Sequence, residues 1–92
     1  MSEVRRTCTI VNQRGLHARA SAKFVGAVAA LPEGCSVRLH KDGNEAGGGS
    51  ILGLMMLGAA KGDTVDVIVS GHDAEAVLEQ LCAMIDDGFG ED

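Results

Sequence analysis

The apolar residues of this chain switch repeatedly between a period of two and a period of three to four, and no segment of either kind is long. That pattern restricts the fold to a few short strands and helices sharing one core. Cys8 and Ile10 alternate with Thr7 and Thr9, which predicts a strand over Arg6 to Val11 with one apolar face. It ends in the turn sequence Asn12-Gln13-Arg14-Gly15. From His17 to Leu31 the residues Ala20, Phe24, Ala27, Val28 and Leu31 recur at helical spacing, and Pro32 and Gly34 stop that helix. Val37 and Leu39 mark a strand over Ser36 to Lys41. Asp42-Gly43 supplies a hairpin turn, with a short return strand near Asn44-Glu45-Ala46.

Ser50 is placed to cap a short apolar helix from Ile51 to Leu57. Thr64 to Ser70 reads as a strand, with Val65, Val67 and Val69 on one side and Asp66, Ile68 and Ser70 on the other. A last helix follows Gly71-His72-Asp73, with Asp73 as its cap. Ala74, Val77, Leu78, Leu81, Met84 and Ile85 form its apolar face. The tail from Gly88 to Asp92 reads as polar and frayed. The order strand, helix, strand, strand, short helix, strand, helix predicts the α+β class. The expected form is a two-layer open-faced sandwich, with both long helices on one face of a four-stranded sheet and the other face largely open to water. A chain of 92 residues is expected to form one domain, residues 1–92. Phe24 and Phe89 are its two aromatic residues, so the core is aliphatic.

Charge and composition exclude several functions. The net charge is −5, the eight Lys and Arg are scattered, and aromatic stacking platforms are missing, so nucleic acid is not an expected partner. No apolar run reaches the length of a membrane span, and Met1 to Arg6 lacks the apolar stretch of a signal peptide. The expectation is a cytoplasmic protein without membrane contact. Cys8, Cys35 and Cys82 are spaced as small buried or half-buried hydrophobes rather than as a disulfide framework. They lie far in sequence from His17, His40 and His72, so no metal site is expected. Gly47-Gly48-Gly49-Ser50 lacks the Lys-Ser/Thr ending of a nucleotide loop and reads as a flexible connection, so no cofactor is implied.

The segment Gly15-Leu16-His17-Ala18-Arg19 is where chemistry concentrates. A histidine at a helix start lies beside backbone N–H groups without intrahelical partners and beside the positive end of the helix dipole. There a neutral ring is a nucleophile, and an anion placed on it is held by the N–H groups. Arg19 adds a cation with fork geometry suited to phosphate, and Gly15 permits the backbone turn at the entry. These residues make a candidate phosphohistidine site. On position alone, His17 is equally readable as a solvent-exposed turn residue. His40 falls on the polar side of a strand, and His72 falls in a local capping turn. Met55 and Met56 are candidates for a docking surface, because methionine adapts its shape to partners. Ser50 is a candidate regulatory phosphorylation site, since a phosphate is tolerated at a helix N-terminus.

Two motifs carry a resemblance. Arg14-Gly15-Leu16-His17-Ala18-Arg19 is followed by Ala22-Lys23-Phe24-Val25. Ser50-Ile51-Leu52-Gly53-Leu54-Met55-Met56-Leu57 is followed by Gly58 and Gly62-Asp63. At this separation they resemble the HPr family, the histidine-containing phosphocarriers of the bacterial phosphoenolpyruvate-dependent phosphotransferase system, from about Arg6 to Gly88. The resemblance implies an antiparallel four-stranded sheet with three helices on one side. It implies phosphorylation of His17 at Nδ1, with Gly15, Ala18 and Arg19 around the phosphate. Phosphorylated enzyme I would be the donor and an enzyme IIA domain the acceptor. Ser50 matches the serine modified by an HPr kinase/phosphorylase. Two positions depart from the family pattern. Ala20-Ser21 replaces the usual Pro-Ala, which is more like the regulatory branch serving nitrogen or carbon signalling. Gly49 replaces the Lys that usually precedes the serine.

The leading expectation is therefore a monomeric phosphocarrier, in sugar uptake or in nitrogen and carbon regulation, that turns over only with a donor and an acceptor. The alternative is a non-catalytic regulatory binding module controlled by phosphorylation of Ser50. An unrelated small-molecule-binding domain ranks last, because no pocket is visible in the sequence.

Overall fold

The computed structural model describes residues 3–91; Met1, Ser2 and Asp92 lie outside the described residues. The elements are β1 (Glu3–Thr9), α1 (Ala18–Ala29), β2 (Ser36–Lys41), β3 (Asn44–Gly47), α2 (Ile51–Met56), β4 (Thr64–Ser70) and α3 (Ala74–Asp86), with a closing 3-10 turn at Gly88–Gly90. The sheet order is β1-β4-β2-β3, and every neighbouring pair is antiparallel. β4 is central among the first three and pairs with both β1 and β2. Its place explains why it is the most apolar strand. Val65, Val67 and Val69 face the helices and are buried beside Cys8, Val37 and Leu39. Phe24 of α1, Leu54 of α2, and Leu81 and Ile85 of α3 close the core from the helical side. The expected open-faced α+β sandwich is the fold found.

The outer face of the sheet carries charge pairs across the strands. Arg5 meets Asp66 at 2.9 Å, and Arg38 reaches both Glu3 and Glu45 at 3.0 Å. One residue there departs from the expectation of a water-facing surface. Ile68 is only 4% exposed. The register sets it beside Arg5 on one side and Arg38 on the other, so their aliphatic stems cover it while their guanidinium groups reach the carboxylates.

Three further sequence expectations are corrected. The glycine run is not simply a flexible connection. Gly47 pairs with Arg38 in β3, and the Gly48 N–H donates to Val37 O at 2.8 Å. A Cβ on Gly48 would lie 2.9 Å from the Val37 side chain, so the run lets two backbones approach closely. Asp73 does not cap α3 with its side chain. It takes a left-handed conformation, φ 58°, and makes no capping hydrogen bond; its carbonyl accepts from Val77 instead. The acid in the first turn of α3 is Glu75. His72 supplies no cap either: it is exposed, with Nε2 3.5 Å from the Asp73 carboxylate. Ser50 does cap α2 as expected, its Oγ accepting from the Gly53 N–H at 2.9 Å.

The hydrogen bond from Thr7 Oγ1, at 2.6 Å, holds the Asp66 carboxyl below its ordinary range against the opposing effect of burial, and the Arg5 contact adds to it. A carboxyl depressed in the fold contributes stability above its ordinary titration range and loses it as pH falls through the lowered value. Thr7→Val is therefore expected to lower stability at neutral pH, with the gap from wild type closing in acid. Urea melts at neutral and acid pH measure this; a gap that stays constant with pH refutes it.

Candidate functional site

The site lies where three loops meet at one end of the sheet. After β1, the ladder continues through paired bonds, Ile10 N–H to Asp63 O and Gly62 N–H to Ile10 O, each 2.8 Å. The chain then turns through Asn12 to Gly15. Asn12 is buried, and its Nδ2 donates to Gly15 O at 2.8 Å. Gly15 has φ +63°, and a Cβ there would stand 2.3 Å from Ala59 O. The next residue closes the contact, its Leu16 N–H donating to that same oxygen at 3.0 Å while the Leu16 side chain is buried. Thus the loop after α2 holds the loop that presents His17.

His17 is the N-cap of α1, with extended backbone angles. Its ring takes the place usually filled by a serine or aspartate oxygen. Nδ1 accepts from the Arg19 backbone N–H at 3.2 Å. The His17 carbonyl accepts from Ser21 N–H at 2.9 Å, the first bond of the helix. Ser21 is fully buried, and its hydroxyl donates back to Leu16 O at 3.2 Å. This bond ties the first helical turn to the preceding loop.

The far edge of the ring has a partner that sequence reasoning missed. Nε2 lies 2.6 Å from Glu91 Oε2. Because Nδ1 accepts a backbone N–H, Nε2 is the nitrogen that carries the ring proton and donates to the carboxylate. The other carboxylate oxygen accepts from Asn12 Nδ2 at 3.1 Å. Partial burial opposes ionisation of Glu91. The bonds from Asn12 and His17, with the nearby charge of Lys23, outweigh that and hold its carboxyl below the ordinary range.

The expectation of a frayed tail is corrected for Gly88 to Glu91, which are held in place; Asp92 lies outside the described residues. Phe89 is 3% exposed, and Lys23 Nζ donates to Phe89 O at 2.8 Å. Gly88, Phe89 and Gly90 all have positive φ. For Phe89 that conformation costs about 1–2 kcal/mol. Burying its ring contributes about 1.5–3 kcal/mol, which offsets that strain. A lone aromatic in the tail of an aliphatic chain was the available signal. Nothing in the sequence pointed to Glu91.

The other expected site residues are placed as follows. Ala18 is the exposed first residue of α1. Arg19 is exposed, its guanidinium has no ion-pair partner among the described residues, and it lines a shallow hollow with Gln13, Arg14 and Glu91. Ser50 is exposed at the start of α2. Leu54 and Leu57 are buried, whereas Ile51, Leu52, Met55 and Met56 face outward, Leu52 at 67% and Met56 at 77% exposure. Both Met55 and Met56 thus lie on the surface that the sequence suggested for docking. His40 is half-buried on the outer sheet face. Burial and the neighbouring Cys82 push the Cys8 thiol up to about 12, so it behaves as a core hydrophobe. No described helix is long and apolar enough to cross a membrane.

Residues 4–87 match the family model described as "PTS HPr component phosphorylation site". The chain belongs to the HPr family of phosphocarrier proteins. It is 36% identical over 91 residues to the phosphocarrier protein NPr of Shewanella violacea, covering 99% of this chain and 98% of that protein. Against the phosphocarrier protein HPr of Cupriavidus necator it is 38% identical over 88 residues, covering 96% and 97%. The crystal structure of HPr from Thermoanaerobacter tengcongensis superposes with a TM-score of 0.86 at 35% identity, covering 100% of this chain and 99% of that one. The family role is that of a phosphocarrier of the phosphotransferase system, working with protein partners of that system.

Gly15→Ala is expected to destabilise this phosphocarrier. The left-handed backbone alone costs about 1–3 kcal/mol, and the clash with Ala59 adds to it. Gly26→Ala, in α1 with nothing near its added Cβ, is expected to gain about 0.5–1 kcal/mol. Thermal melts of the two variants distinguish the cases; equal effects would remove the Ala59 contact from the account.

Proposed function

We propose that this phosphocarrier accepts a phosphoryl group on Nδ1 of His17 from phosphorylated enzyme I and passes it to an enzyme IIA-type acceptor. The observation that carries the reading is the direction of Nδ1: its lone pair faces the Arg19 backbone N–H at the start of α1. That bond, at 3.2 Å, is long and easily given up. When Nδ1 attacks phosphorus, the bond from phosphorus to the donor breaks and its electron pair stays with the donor. The N–H groups of the first turn then turn to the phosphoryl oxygens. The group brings roughly −1.5 to −2 charges. The helix dipole and Arg19, without an ion-pair partner among the described residues, offset part of that charge without enclosing the phosphate, so it can leave again. Gly15 sets the backbone turn that presents the ring, and Ala18 begins the helix beside it.

The exposed apolar face of α2 suits docking of donor and acceptor in turn. The carrier is a single domain, residues 1–92, cytoplasmic and monomeric, without a cofactor. The Ala20-Ser21 pair favours the regulatory branch over sugar uptake. A second reading concerns Ser50, an exposed hydroxyl at the edge of this apolar face. Phosphorylation there by an HPr kinase/phosphorylase would place charge beside Ile51 and Leu52 and weaken docking. Were His17 not a carrier residue, the chain would act as a binding module controlled at Ser50.

Incubation with enzyme I and phosphoenolpyruvate is expected to add one phosphoryl group that is acid-labile and base-stable, and His17→Ala is expected to abolish it. Intact mass measures both. An unchanged mass with an active donor, or equal gain in the variant, overturns the His17 assignment.

A further inference from the structure

We propose that Glu91 is a positioning residue for His17: its carboxylate holds the ring through Nε2–H, leaves Nδ1 as the nucleophile, and stabilises the positive charge on the ring while Nδ1 is phosphorylated. The role in transfer rests on the His17 reading above; the holding of the ring does not.

The contact is built rather than incidental. Glu91 Oε2 is 2.6 Å from Nε2, and the two side chains are only 22% and 15% exposed. Four separate interactions bring the carboxylate there. Phe89 anchors the tail in the core, Lys23 holds the Phe89 carbonyl, and the Glu91 N–H donates to Gly88 O at 3.0 Å. Asn12, itself buried and fixed on Gly15 O, binds Oε1. With Oε1 taken, Oε2 is the oxygen presented to the ring. Asn12 thus links the turn before His17 to the carboxylate behind it.

The chemistry follows from which nitrogen holds the proton. A neutral ring with Nε2–H and a lone pair on Nδ1 gains a bond to phosphorus without losing a proton, so the product ring is cationic. Glu91 opposes that charge at the edge remote from the phosphoryl group. A carboxylate behind a histidine plays this part in nucleophilic and metal sites generally. When the acceptor attacks phosphorus, the Nδ1–P bond breaks and its electron pair returns to Nδ1. The ring is again neutral with Nε2–H, and no proton has moved at any stage.

The experiment uses the full chain with Glu91→Ala, which removes the acceptor, and Glu91→Gln, which keeps an acceptor but not the charge. Proton NMR of the unphosphorylated proteins reads the His17 Nε2–H. A protected, downfield signal is expected in wild type and Glu91→Gln, with loss by solvent exchange in Glu91→Ala. Titration against phosphorylated enzyme I then reads the equilibrium. Replacing the charge-assisted bond by a neutral one is expected to lower the phosphorylation equilibrium constant about tenfold in Glu91→Gln, and at least as much in Glu91→Ala.

An Nε2–H signal equally protected in Glu91→Ala overturns the positioning role. A Glu91→Gln equilibrium within about twofold of wild type overturns the charge role and reduces Glu91 to a tail anchor. Phosphorylation persisting in His17→Ala refutes the carrier reading and the transfer role together, and the Nε2–H signal still decides whether Glu91 holds the ring.

Discussion

The backbone of Gly15 lies against the Ala59 carbonyl at a distance that admits no side chain, and the Leu16 N–H bonds the same oxygen. Through this contact the loop before α1 and the loop after α2 become one rigid piece. The direction in which α1 starts, the exposure of the His17 ring and the placement of the α2 surface all depend on it. Ser21 reinforces it from the other side by bonding Leu16 O. The backbone of His17 is thus set by contacts on either side of it, and its ring is then held between the Arg19 N–H and Glu91.

Charge is distributed unequally between the two ends of this architecture. On the outer sheet face the cations Arg5 and Arg38 are matched by Asp66, Glu3 and Glu45, and they also shield Ile68. Such exposed pairs contribute little stability each; their effect is to order a surface that has no second layer. At the functional end Arg19 has no partner among the described residues, and the carboxylate of Glu91 is drawn to Nε2 and Asn12 instead. The Arg19 backbone N–H thus meets one nitrogen of the ring and the Glu91 carboxylate the other.

The strands and helices were readable because period-two and helical spacings are local, and the buried residues Val65, Val67, Val69, Ala20 and Phe24 obey them. Ser50 was readable as a cap for the same reason. The errors fell where a residue's state depends on a distant partner. Asp73 has the composition of a cap, but it takes the left-handed conformation in a turn whose Gly71 is packed against the Gly34 carbonyl. The glycine run has the composition of a linker, but Gly48 is pressed against Val37 across the sheet. Gly88 to Glu91 has the composition of a loose end, but Phe89 reaches the core.

By itself the sequence determined the element order, the aliphatic core face and the pairing of a histidine with a helix start and an arginine two residues on. Each of these is encoded within one turn or one strand. Tertiary structure alone decided which atom of that histidine is available. The partner of Nε2 lies 74 residues away along the chain, on a tail whose position depends on the burial of one aromatic ring. No local pattern encodes that, because the proton on an imidazole follows the acceptor that folding brings to it, not its neighbours in sequence.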